Sequence, residues 1–254
     1  MVNWIGLYTL IRRDVERMFR VVGQTLVTPW ISSLLYIFIF GKVVGSRIDL
    51  IAGVPYINFV LPGILMMNVI ASAFAHSSSS IYFQRFLRTV DEMLVAPISH
   101  LEMIVAFTVG AVTRGLVVGG GIYIIAIFFG GAGVDHIGLF AFYTIGVSVI
   151  FALLGILVGL WANGFEQLNI LSTFVIMPLS FLGGVFYSVT MLPARAQLIA
   201  YWNPFFYFID GIRYAMIGIR ESNGVFGYAM IFGLVAVFGT VVHELFRRGW
   251  RLRG

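Results

Sequence analysis

The 254-residue sequence contains no cysteine. Disulfides, thiolate metal ligands and cysteine nucleophiles are therefore excluded, and thiol usage gives no reading of the redox compartment. Charge is also scarce: 11% of residues are Asp, Glu, Lys or Arg, against roughly 25% in an average soluble domain. Acidic residues are nearly missing from the long apolar runs, so a carboxylate proton relay has no support. No GxxxxGK[ST] phosphate loop occurs, and Gly119-Gly120-Gly121 and Gly130-Gly131 lie in or beside an apolar run rather than in a phosphate-cradling context. There is no HExxH, and the four histidines (76, 100, 136 and 243) lack metal-ligand spacing. No Ser-His-Asp grouping can be argued. What the chain has instead is apolar mass. Hydrophobic residues make up 60%, and the mean hydropathy is +0.98. A soluble globule of this size could not cover that surface, and a disordered chain would be polar. An integral membrane protein remains.

A bilayer core of about 30 Å needs about 20 apolar helical residues. Six runs qualify: 24–44, 57–75, 104–129, 137–162, 168–189 and 225–242. None has the ~10-residue alternation of a membrane β-strand. The expected fold is all-α with six transmembrane helices, so both termini face one side. The first run is long enough to stay as a span rather than be cleaved as a leader. Arg12, Arg13, Arg17, Arg20, Arg85, Arg88, Arg247, Arg248, Arg251 and Arg253 place ten basic residues on the side of the termini. Lys42, Arg47, Arg195, Arg213 and Arg220 place five on the other. The richer side is expected to be cytoplasmic.

Three segments outside the spans carry a pattern. Residues 1–22 are amphipathic, with Trp4, Leu7, Tyr8, Ile11, Val15, Met18 and Val22 on one face and Arg12, Arg13, Glu16, Arg17 and Arg20 opposite. This reads as an interfacial helix with its arginines toward anionic headgroups. After His76-Ser77-Ser78-Ser79-Ser80, a short cytoplasmic helix is expected over 82–95, ended by Pro97. Its apolar face is Phe83, Phe86, Leu87, Val90 and Leu94, and Gln84, Arg85, Arg88, Asp91 and Glu92 surround it. Such a helix suits a groove on a partner or a bed of headgroups. Residues 190–222 are external by this topology yet strongly apolar, and Asn203-Pro204 divides them. Two half-helices forming a re-entrant hairpin between spans five and six fit best. Asp210 with Arg213, and Arg220 with Glu221, read as weak local ion pairs.

Arg114 is the sixteenth basic residue and lies inside the third run, roughly 18 Å of helix past Glu102. A charge at that depth must be paired, bound to carbonyls or turned toward water. It is either a structural arginine of the bundle or subunit seam, or a contact for an anionic headgroup.

Motifs in order along nearly the whole chain carry a resemblance. They are Phe40-Gly41 with Gly45-Ser46-Arg47, Leu61-Pro62-Gly63 with Met66-Met67, Leu94-Val95-Ala96-Pro97, and Arg114-Gly115. Pro178, the stretch from Leu182-Gly183-Gly184 through Ser188, Leu192-Pro193, Asn203-Pro204 and Arg213-Tyr214 complete the series. The chain resembles permease subunits of ABC-2-type ABC transporters, bacterial inner-membrane exporters. It is most like the YadH-type permeases and more distantly like those of nodulation-factor and drug-resistance exporters. The resemblance implies a non-enzymatic half-transporter that works as two copies with two copies of a separate ABC ATPase. ATP and Mg would bind on that ATPase and no cofactor on this chain; membrane lipid is a partner and nucleic acid is not. It makes Arg85, Phe86, Arg88, Val90, Asp91, Glu92 and Leu94 the ATPase-coupling residues. It also implies a path lined by spans one, two and five. Tyr36, Phe40, Met66, Met67, Asn169, Thr173 and Phe181 are its candidate lining, each equally readable as a packing or lipid-facing residue. The expected cargo is a lipid, a lipid-linked glycan or an amphipathic drug-like molecule. An ion-driven secondary transporter and a membrane scaffold are the competing classes; the first would call for an inverted repeat, and none is evident.

Overall fold

The computed structural model describes residues 3–45, 47–48, 50–129 and 133–252, with the side chains of Lys42, Asp91 and Leu94 outside the described set. Helix α1 (Trp4–Arg20) leads into a first membrane segment made of a π-helical turn (Gly23–Val27), α2 (Thr28–Phe38) and a second π-helical turn (Ile39–Val44). A two-residue hairpin follows, with β1 (Leu50–Ile51) antiparallel to β2 (Val54–Pro55). It was not anticipated. Ala52 and Gly53 both have positive φ, as a tight hairpin turn of this hand requires, and Ile51 is buried in the core.

Helix α3 (Tyr56–Phe86) is 31 residues long, well beyond the 57–75 expected. The serine run does not break it. Ser77, Ser78 and Ser79 return their hydroxyls to carbonyls three or four residues back, so the segment stays helical. The helix expected over 82–95 is two pieces: α3 ends at Phe86, Arg88 takes a left-handed conformation, and α4 (Thr89–Val95) starts anew. The Thr89 hydroxyl donates to the Gln84 carbonyl at 3.2 Å, which closes the end of α3.

The remaining elements are α5 (His100–Phe128), α6 (Ile137–Trp161), α7 (Phe165–Leu171), α8 (Met177–Leu182), α9 (Ala194–Trp202), α10 (Pro204–Ile217) and α11 (Gly224–Arg247). Helix α5 opens on a capping box between Ser99 and Glu102. Between α7 and α8 lies a third π-helical turn, Ser172–Ile176, and the three form one segment. This fifth segment stops at Leu182 rather than at residue 189, because Gly183 and a left-handed Gly184 turn the chain away. Among the described residues, six helices or helix runs are long and apolar enough to cross a membrane: Gly23–Gly41, Tyr56–Phe86, His100–Phe128, Ile137–Trp161, Phe165–Leu182 and Gly224–Arg247.

Helix α3 is the axis of the bundle, packed along α6 and α5. The α6 contact is close because Gly155 and Gly159, one turn apart, face the backbone and hydroxyls of Phe74, Ser77 and Ser78. The first and fifth segments and α11 lie outside and expose large apolar side chains such as Ile31, Phe174 and Phe232. The 190–222 segment divides at Asn203 as expected. The Asn203 side chain accepts from the amide of Phe205, and Pro204 takes the first helical position. Helix α10 is packed on α3 and α6, and ten of its fourteen residues are buried.

Candidate functional site

At the end of the bundle that carries α4, the candidate coupling residues divide by exposure. Phe86 is 61% exposed, and Leu87, Arg88, Glu92 and Val95 are exposed around it. The Phe86 ring rests edge-on to Phe165, 5.6 Å away between centroids. Val90 points the other way. It is 5% exposed and lies with Met93, Leu10 and Phe246 in a second core cluster. Arg85 also turns inward and donates to the carbonyls of Gly159 at 2.8 Å and Ala162 at 3.0 Å, capping α6. The common apolar face expected for Phe86 and Val90 is therefore split by the left-handed Arg88. The side chains of Asp91 and Leu94 lie outside the described residues.

At the opposite end several motifs that are far apart in sequence meet. Arg213 is 1% exposed. Its Nε donates to the Phe59 carbonyl at 3.2 Å and an Nη to the Gly184 carbonyl at 2.6 Å, while the guanidinium lies 3.8 Å over the Phe59 ring. Asp210 accepts instead from the amides of Glu221 at 2.7 Å and Ser222 at 3.0 Å. No ion pair forms among Asp210, Arg213, Arg220 and Glu221: the arginine clamps a turn to α3, and the aspartate ties down the loop before α11. Gly63 of Leu61-Pro62-Gly63 lets the backbone of Val185 approach, since a Cβ there would stand 2.8 Å from the Val185 Cα. The Tyr56 hydroxyl donates to the Phe186 carbonyl at 3.0 Å. Phe186 gathers three of the candidate path residues: its ring is 4.2 Å from Phe40, 5.6 Å from Phe181 and 6.1 Å from Tyr36. Met66 and Met67 are buried in the core.

Between the first and fifth segments lies a cavity of about 820 Å³. Asn169, exposed, is on its wall. Thr173, also exposed, sits just beyond in the π-helical turn. Arg114 reaches the cavity from α5. Among the described residues it makes no ion pair or hydrogen bond, and its Nε is buried without a partner. Asp14, which the sequence did not single out, is buried in the wall. Its carboxylate accepts from His76 Nε2 at 2.7 Å and from the Ser80 hydroxyl, and Arg17 lies 3.4 Å away. Burial pushes the Asp14 carboxyl up. The hydrogen bond and charge of His76, the charge of Arg17 and the Ser80 hydroxyl outweigh it and hold it below the usual carboxylate range. Gly110 on α5 leaves the room this carboxylate occupies, because any Cβ there would collide with Asp14 Oδ2. The signal was present: Leu10, Asp14 and Met18 are spaced four apart, and these are the buried residues of α1. Trp4 and Tyr8, assigned to the anchoring face, point outward from the protein.

Six membrane-length segments around one buried axis, with a short helix beyond the second, define a multi-pass membrane protein. The sequence profile of the ABC-2 type transporter family matches residues 6–217, and the chain belongs to that family. It is 37% identical to the inner membrane transport permease YadH of Escherichia coli strain K12, over 98% of this chain and 98% of that protein. It is 27% identical to nodulation protein J of Rhizobium leguminosarum bv. viciae, over 87% of this chain and 85% of that one. Nodulation protein J of Rhizobium meliloti strain 1021 is likewise 27% identical, over 85% and 82% of the two chains.

Proposed function

We propose that two copies of this chain, with two copies of a separate ABC ATPase, form an ATP-driven exporter in the bacterial cytoplasmic membrane. The substrate is a lipid, a lipid-linked glycan or an amphipathic drug-like molecule moved outward. The observation that carries this reading is the similarity to an inner membrane permease over essentially the full length of both chains, in a sequence that has no nucleotide-binding motif of its own. ATP and Mg bind on the partner. The exposed Phe86–Glu92 region receives its motion, and both termini lie on the same cytoplasmic side as that region. The first, second and fifth segments of each copy line the path, with Tyr36, Phe40 and Phe181 around Phe186 at its outer end and Asn169 and Thr173 at its inner end. Purified alone, the chain should hydrolyse no ATP. Co-expressed with its ABC ATPase, it should retain that ATPase through purification and show ATP-dependent transport of lipid in proteoliposomes. Gradient-driven transport without any ATPase would replace this reading with a secondary transporter.

A further inference from the structure

We propose that the cavity beside α1 is a binding site for the phosphate headgroup of an anionic amphiphile, entered sideways between the first and fifth segments. This rests on the reading of the chain as a lipid or amphiphile permease and narrows its cargo. The cavity measures about 820 Å³, within the range of small-molecule sites. Arg13, Arg17, Arg20 and Arg114 border it, and the acid on its wall is Asp14. That acid is already committed to His76, Ser80 and Arg17. The cavity therefore holds a surplus of positive charge that no carboxylate of its own lining cancels.

Arg114 is the decisive residue. A membrane-embedded guanidinium is costly unless it meets a partner or water, and this one has neither ion pair nor hydrogen bond among the described residues. Its fork of donors matches a phosphate better than a point cation would. Basic pockets between membrane helices are a recurring way of holding phosphate headgroups. The rest of the lining accounts for the chain of such a molecule. Phe74, Phe83, Phe165 and Leu168 form apolar wall beside the arginines. The lining runs along α3 from Phe74 to Gln84, roughly 15 Å at 1.5 Å per residue. The rim residues Arg20, Gln24 and Asn169 are exposed, so the mouth lies where a lipid would arrive from the membrane.

The test uses the full chain alone in neutral detergent, so it is independent of whether an ATPase couples to it. The probes are dioctanoyl phosphatidic acid, dioctanoylglycerol and inorganic phosphate, with binding read by thermophoresis. Phosphatidic acid should bind at least tenfold more tightly than the uncharged diglyceride. Arg114→Gln should weaken phosphatidic acid at least tenfold, and Asn169→Trp, which fills the mouth and removes no charge, should weaken both lipids. Arg195→Gln, an exposed arginine remote from the cavity, should change nothing. Equal affinity for the two lipids overturns the proposal, as does unchanged binding in both Arg114→Gln and Asn169→Trp. Displacement of the lipid by inorganic phosphate at equal concentration would assign the site to free phosphate and overturn the amphiphile. An altered oligomeric mass of Arg114→Gln with phosphatidic acid binding intact would place Arg114 at the seam between copies and also overturn it. If binding behaves as expected but no ATPase joins the chain, the exporter reading fails and this site stands.

Discussion

Asp14 shows how much a single side chain holds in place. It joins α1 to α3 through His76 and Ser80, in room left by Gly110 of α5. Asp14→Asn keeps the shape and removes the charge, which leaves His76 and Arg17 facing a neutral group. Breaking a buried pair costs about 3 kcal/mol or more, and at about 2–4 °C per kcal/mol the melting midpoint in detergent should fall by at least ~6 °C. The carboxyl is held below its unfolded value of about 3.9. Its stabilisation is therefore complete above that pH and is lost as the pH falls through the folded value. Between pH 5 and pH 3 the wild type should lose more of its midpoint than Asp14→Asn does. Parallel losses in the two proteins would show that the carboxylate contributes nothing. Asp14 escaped the sequence reading because the amphipathic pattern of residues 1–22 was sorted by hydrophobicity alone. A buried carboxylate looks like a surface one until its partner, here 62 positions away, is placed beside it.

Among the elements, the apolar runs were legible because a membrane helix must satisfy its own backbone and clothe itself in hydrocarbon, and both demands write themselves into composition. The ends of elements were not. The serine run looked like a loop, yet its small side chains let Gly155 and Gly159 of α6 come against α3. Gly155→Ala would drive a Cβ into the Phe74 carbonyl and the Ser77 hydroxyl and should cost about 1–3 kcal/mol of stability. Gly233→Ala on α11 meets nothing within 4 Å and should be neutral or stabilising by up to about 1 kcal/mol. Thermal unfolding of the two variants in one detergent gives the comparison, and equal effects would refute the close α3–α6 contact. The break at Arg88 matters in the same way. Periodicity placed Phe86 and Val90 on one face, but a single left-handed residue turns them apart. Phe86→Ala should leave the permease stable and weaken retention of the ATPase by ~2 kcal/mol, about thirtyfold. Val90→Ala should instead lower the stability of the permease and leave ATPase retention per folded molecule unchanged. Swapped outcomes would mean that α4 docks through its buried side.

For the whole molecule, the order of motifs disclosed the family, while the convergence of Gly63, Val185 and Arg213 at one end became visible only in three dimensions. Orientation rests on the excess of arginine at the termini. Single cysteines at Asn223 and Arg248, in a chain that has no other, can be tested with a membrane-impermeant thiol reagent on intact cells. Position 223 should react and position 248 should not; the reverse pattern would invert the topology. Helix α3 touches both ends of this arrangement. Thirty-one residues make a rod about 46 Å long, longer than the hydrocarbon it crosses. Rocked by 5° about its middle, such a rod carries its two tips roughly 2 Å in opposite directions. A tilt of α3 at its Phe86 end would therefore arrive as a counter-swing at the turn gripped by Arg213, so that a single rod would tie the two ends of the bundle to each other.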